Sequence, residues 1–117
     1  MSSEPIQVTA DGKVTKVITK PGYGIKPRRN QLVTVHYTGT LLNGEVFDSS
    51  VDRKPFMFTI GKGVISGWNH ALMSMKLGEK ATFTIAPEYA YGPRGCPPAI
   101  PPDATLKFEI ELLKIHK

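Results

Sequence analysis

Several stretches of this chain alternate apolar and polar side chains with a period of two. Val33, Val35 and Tyr37 alternate with Thr34, His36 and Thr38. Ala81, Phe83 and Ile85 oppose Lys80, Thr82 and Thr84, and Leu106, Phe108, Ile110 and Leu112 oppose Lys107, Glu109 and Glu111. That period places each apolar set on one face of an extended strand, so the chain must build a sheet with an apolar face that needs a cover. Thr15 to Lys20, rich in β-branched residues, and Phe56 to Ile60 read as further strands. One segment breaks the period. Ser66 to Leu77 spaces Trp68, Ala71, Leu72 and Met75 as one face of a helix. Ser66 is a candidate cap at its start, Lys76 suits its last turn, and Gly78 falls just past its end. A helix this short holds only by packing, and the alternating strands supply the partner surface. The expected class is α+β: an antiparallel sheet of five to six strands wrapped around one short α-helix.

The punctuation agrees. Pro21-Gly22-Tyr23-Gly24 reads as a turn. Asn43-Gly44, between Leu41-Leu42 and Val46-Phe47, is a hairpin signal, since both residues tolerate positive φ. Pro93 to Pro102 reads as a loop. Residues 1–11 read as a frayed tail or an edge extension, and 12–117 as one domain, the size expected of a 117-residue chain.

Composition narrows the function. No apolar run approaches the roughly 20 residues of a membrane span, and the polar start Met1-Ser2-Ser3-Glu4-Pro5-Ile6 lacks a signal core. The single cysteine, Cys96, permits no internal disulfide, so the expected location is cytoplasmic. The net charge of +5 raises nucleic acid as a partner. The basic residues are dispersed, however, and dense only at Lys26-Pro27-Arg28-Arg29, which reads as a solvated loop. No zinc-ligand spacing, EF-hand or phosphate-cradling loop is present, so no metal or cofactor is expected. No nucleophile elbow is visible. Cys96 in its proline-rich loop reads as an inert thiol, and Asp48 and Asp52 as ordinary loop acids rather than a catalytic pair.

What remains is aromatic: Tyr37, Phe47, Phe56, Phe58, Trp68, Tyr91 and Phe108, with Tyr89-Ala90-Tyr91-Gly92 set just before the proline-rich loop. Aromatic side chains at a loop mouth suit a small apolar ligand site. Val35-His36-Tyr37-Thr38-Gly39, Phe47-Asp48-Ser49-Ser50, Gly63-Val64-Ile65-x-Gly67-Trp68, Tyr89-Ala90-Tyr91-Gly92 and Ile100-Pro101-Pro102-x-Ala104-Thr105-Leu106-x-Phe108 follow one another in order. Together they resemble the FKBP family, the immunophilin peptidyl-prolyl cis-trans isomerases, from about Gly12 to the C-terminus. The likeness is strongest to small single-domain cytosolic members.

The resemblance implies a pocket with Trp68 as floor, Tyr37, Phe47, Phe58 and Phe108 as walls, Val64 and Ile65 at the rim, and Phe56 flanking. It gives the Ile65 N–H and the Tyr91 hydroxyl to ligand hydrogen bonds. It makes Asp48 a polar contact oriented by Arg53 or Tyr37, and the loop residues Cys96, Ala99 and Ile100 further ligand contacts. Three departures from relatives stand out: Cys96 where histidine is common, Ala99 where a larger aliphatic residue is common, and a slightly shortened stretch around Arg53-Lys54-Pro55 and Lys62-Gly63. The implied partners are proline-containing peptides and proteins and rapamycin-type macrolides, with a phosphatase or kinase recruited through bound drug. The expected state is a monomer without nucleic acid or membrane. Two other roles remain open at this level: a proline-segment binding module with incidental isomerase activity, and a basic nucleic-acid-associated protein. The Pro97-Pro98 loop could also enter the pocket of a second copy.

Overall fold

The computed structural model describes residues 4–116. Its strands are β1 (Ile6–Gln7), β2 (Val14–Lys20), β3 (Leu32–Leu41), β4 (Val46–Ser49), β5 (Phe56–Thr59), β6 (Lys80–Ile85) and β7 (Leu106–Ile115), with one helix, α1 (Ser66–Met73). All strand pairings are antiparallel, in the order β1-β2-β6-β7-β3-β4, with β5 also on β3. The sheet thus has seven strands, where the alternation predicted five to six. The added strands are short segments that no periodicity marks, two residues of β1 and four of β4, while β5 falls within the expected Phe56 to Ile60.

The alternating stretches sit as their period dictates. Ala81 pairs with Ile110, Phe83 with Phe108 and Ile85 with Leu106, and all six are buried on the face that meets the helix. Trp68, Ala71 and Leu72 of the helix, with Met75 just past its end, are buried against them. Gly67 permits the close fit. A Cβ there would lie 2.6 Å from Ile85 Cγ2 and 2.9 Å from the Tyr89 carbonyl, closer than atoms tolerate.

The helix is shorter than predicted, and differently capped. Ile65, not Ser66, is the N-cap, and no side chain caps it. At the other end the Ser74 hydroxyl and its N–H both donate to the Ala71 carbonyl. The Ser74 carbonyl accepts from Lys16 Nζ at 2.7 Å, and the Gly78 N–H donates to Leu112. The segment after Met73 thus spends its polar groups on β2 and β7 instead of on another helical turn, leaving Lys76 and Gly78 beyond the helix.

The outer edge of β3 shapes the site. β5 pairs with its first half, Leu32 to Val35, and β4 with its second, Thr38 to Thr40. Between them the chain bulges out over Ser50–Pro55. Ser50 fills the gap in the ladder: its N–H donates to the Tyr37 carbonyl at 2.9 Å, and its Oγ accepts from the Tyr37 N–H at 2.8 Å. Ser50 Oγ also bonds His36 Nδ1 at 2.8 Å. The backbone stays satisfied while β4 and β5 part around Tyr37. Among the described residues no helix is long and apolar enough to cross a membrane.

Candidate functional site

Where β4 and β5 part, a hollow of about 190 Å³ opens over the start of α1. Trp68 lies on its floor at the first helical turn, 4% exposed. Four rings surround that indole: Tyr37 at 4.9 Å between centroids, Phe108 at 5.3 Å, Phe58 at 5.5 Å and Phe56 at 6.0 Å. Tyr37, Phe56 and Phe108 meet it edge to face, a geometry aromatic quadrupoles favour. Phe47 stands against Phe108 at 5.5 Å and 89°. Val64 and Ile65, on the approach to the helix, and Tyr91 complete the wall.

The position of each ring follows from its strand. Gly39 pairs with Phe108 on β7 and with Asp48 on β4. It breaks the apolar alternation of β3, and the structure shows why. A Cβ at 39 would sit 2.7 Å from both Phe108 Cε1 and Phe47 Cζ. The two walls meet only because residue 39 has no side chain. Gly39→Ala is therefore expected to push both rings into the hollow. We expect the hollow to narrow, with the fold retained by circular dichroism.

The polar groups cluster on one rim. Asp48 Oδ2 accepts from the Tyr37 hydroxyl at 2.7 Å, and Oδ1 accepts from Arg53 Nη2 at 2.8 Å and from the Ser49 N–H at 2.9 Å. Both Arg53 and Tyr37 therefore orient the carboxylate. Burial, reinforced by the bond to Asp48, pushes the Tyr37 phenol up to about 12. Burial also raises the Tyr91 phenol, helped by Cys96 and Asp48. Both hydroxyls thus remain protonated donors through the physiological range. The Tyr91 hydroxyl makes no hydrogen bond with the described residues, and it is 40% exposed. Trp68 Nε1 is buried without a hydrogen-bond partner, a cost of the kind found at binding sites.

A clamp sets the segment that carries Tyr91. The Tyr89 hydroxyl donates to Asp11 Oδ2 at 2.7 Å, Lys13 Nζ meets Glu88 at 2.8 Å, and the Ala86 N–H donates to the Lys13 carbonyl at 2.8 Å. Bonds from Thr9, then Tyr89, then the Lys13 N–H hold the Asp11 carboxyl down at about 2. No motif pointed to this tie between the N-terminal turn and the site loop.

The structure thus brings Tyr37, Phe47, Asp48, Phe56, Val64, Ile65, Trp68, Tyr91 and Phe108 to one hollow. Phe58 lies beneath it, 7% exposed, touching the indole from the core. Arg53 stands behind Asp48. Cys96, Ala99 and Ile100 do not line the hollow. Cys96 and Ile100 exchange backbone hydrogen bonds at 2.8 and 3.0 Å, which folds the loop back and seats Ile100 in the core at 4% exposure. Cys96 and Ala99 are exposed. Among the described residues no three His, Cys, Asp or Glu side chains gather as metal ligands.

A sheet curled over one helix thus leaves an open aromatic hollow at the helix start, with the Asp48 carboxylate and two tyrosine hydroxyls on its rim. The sequence profile described as FKBP-type peptidyl-prolyl cis-trans isomerase matches residues 23–113, and the chain belongs to that family of enzymes. It is 56% identical over 106 residues to FK506-binding protein 1 of Rhizopus delemar, covering 88% of this chain and 98% of that protein. It is 53% identical over 106 residues to the peptidyl-prolyl cis-trans isomerase of Schizosaccharomyces pombe, covering 88% and 95%. The crystal structure of a peptidyl-prolyl cis-trans isomerase from Pseudomonas syringae superposes with a TM-score of 0.88 at 37% identity, covering 99% of this chain and 84% of that one.

Proposed function

We propose that the hollow is where the isomerase reaction occurs: the proline ring of a substrate sits on Trp68, and the preceding amide rotates between the aromatic walls. The observation that carries this is an indole floor open to a hollow walled by Tyr37, Phe47, Phe56 and Phe108. Rotation about a peptide bond faces a barrier of about 18–20 kcal/mol because resonance must be broken. Unaided X–Pro bonds interconvert over tens to hundreds of seconds. A catalyst needs only to bind the twisted amide better than either planar form. Twisting returns electron density to nitrogen and removes it from the carbonyl oxygen. A dry aromatic enclosure therefore disfavours the charge-separated planar amide and accepts the twisted one. The Ile65 N–H and the Tyr91 hydroxyl hold the flanking chain in a bent shape, and Asp48, fixed by Arg53 and Tyr37, supplies the polar end of the site. Lowering the barrier by about 7 kcal/mol accelerates rotation roughly 10⁵-fold. No nucleophile takes part. Prolyl isomerisation limits many folding reactions, so unfolded chains are suitable substrates.

A protease-coupled assay on an Ala-Leu-Pro-Phe peptide tests this. Acceleration over the uncatalysed rate is expected, with kcat/KM about tenfold lower in Asp48→Val, ~1.4 kcal/mol of barrier. Full activity in that variant would remove Asp48 from the site. Relatives bear the name FK506-binding protein, and this chain is proposed to hold such macrolides in the same hollow. The lone tryptophan reports it: titration should change Trp68 fluorescence, in competition with the prolyl peptide. Phe56 and Tyr91, 38% and 40% exposed on the rim, would leave part of a bound macrolide outside the hollow, a composite surface that could recruit a phosphatase or kinase.

A further inference from the structure

The wall of the hollow does not end at Phe56. Tyr37, Asp48 and Phe56 also line a second, wider depression of about 560 Å³, which runs over the Ser50–Pro55 bulge to Met57. Phe56 and Met57 form its apolar part, and they are 38% and 51% exposed. Large apolar side chains left open beside a binding hollow mark a surface for a partner.

The charges say what kind of partner. Asp48, Arg53 and Lys54 line the depression. Asp48 and Arg53 neutralise each other at 2.8 Å. Lys54 has no ion pair among the described residues and is exposed. Pro55 restricts the Lys54 backbone to extended conformations, so this cation is presented from a restrained stem. The depression therefore carries one uncompensated positive charge beside an apolar floor, and it is continuous with the proline site.

We infer that this depression is a subsite for the stretch of substrate chain flanking the proline, with an apolar side chain on Phe56 and Met57 and an acidic side chain against Lys54. Lys54 and Met57 are then specificity-determining residues of the isomerase. This rests on the prolyl reading of the adjoining hollow. Bound there, a flanking glutamate adds an exposed ion pair, which is worth a two- to fivefold preference, about 0.4–1 kcal/mol.

Peptides of six or seven residues, identical except for Glu, Gln or Lys placed two or three positions from the proline on either side, test the inference. On the wild-type enzyme, kcat/KM should run Glu over Gln over Lys for at least one flank, by about two- to fivefold per step. The order should flatten in Lys54→Gln, reverse in Lys54→Glu and weaken in 0.5 M salt. Ratios between peptides on one enzyme cancel any general loss from the substitution. Equal rates for the three peptides, or an acidic preference that survives in Lys54→Gln, overturns the subsite. A preference that varies with enzyme concentration overturns it too, because a second copy would then be the occupant. No acceleration of any peptide overturns the prolyl reading itself, a result distinct from flat discrimination.

Discussion

Phe108→Ala is expected to lower kcat/KM on a prolyl peptide about 100-fold, or ~2.7 kcal/mol of barrier. It is also expected to cost about 3–5 kcal/mol of stability. Both effects come from one ring. Phe108 is 4% exposed on β7 and pairs with Phe83 of β6. It meets Trp68 at 5.3 Å and Phe47 at 5.5 Å, edge to face in both cases, and Tyr37 at 6.5 Å. Truncation to Ala removes the wall against which the indole stands and lets water into the floor of the hollow. Water solvates the planar amide, so the advantage of the twisted form shrinks. Phe108→Leu separates the two losses. It keeps most of the volume and the dryness, so stability should largely return, while kcat/KM stays about tenfold down because the edge-to-face contacts are gone. Activity must be divided by the folded fraction measured on the same sample. Wild-type kcat/KM in correctly folded Phe108→Ala would show that rotation is catalysed elsewhere.

How much of this was legible beforehand depends on whether the signal was local. The inward rows of β6 and β7 were written in their alternation, and Trp68, Ala71 and Leu72 in helical spacing, because each is set by a face that repeats within a few residues. The site was legible for a different reason. All its parts but Phe56 lie in five short motifs whose order the FKBP family shares, and the structure brings nine of the named residues to one hollow. Three kinds of feature were not legible. Gly39 looked like the end of a motif, and its role appears only when Phe47 and Phe108 arrive on either side of it. Cys96 and Ile100 turn toward each other, and nothing periodic says which way a proline-rich loop folds. Lys16 is one of the dispersed basic residues, on a strand with β-branched neighbours. It faces inward, 5% exposed, while Ile18 two residues on is 37% exposed. The reason lies 63 residues away at Glu79, beyond any local pattern.

That buried lysine gives the other large effect. Lys16→Met should destabilise the protein by about 3–5 kcal/mol, because it strands a buried carboxylate. Lys16 Nζ lies 2.9 Å from Glu79 Oε2 and 2.7 Å from the Ser74 carbonyl, with the two side chains only 6% and 4% exposed. Glu79 Oε1 accepts the Lys76 N–H at 3.2 Å, and the Glu79 carbonyl accepts the Leu112 N–H at 3.0 Å. One ion pair thus joins β2, the chain just past α1 and β7. Urea unfolding should show the midpoint falling with the slope unchanged, and Tm should drop on the order of 10–20 °C. Lys16→Met combined with Glu79→Leu should recover most of the loss, since an apolar replacement of the whole pair leaves no buried charge. The difference between the double variant and the sum of the singles measures the coupling. A cost below about 1 kcal/mol for Lys16→Met would mean that the pair behaves like an exposed one, and that the end of α1 is held by the apolar contacts of Leu72 and Met75 alone. If the cost is as large as expected, the placement of Trp68 at the other end of the same two-turn helix depends on this lysine. Kinetic measurements on Lys16→Met should then show weaker turnover near its lowered Tm while the cold enzyme remains active.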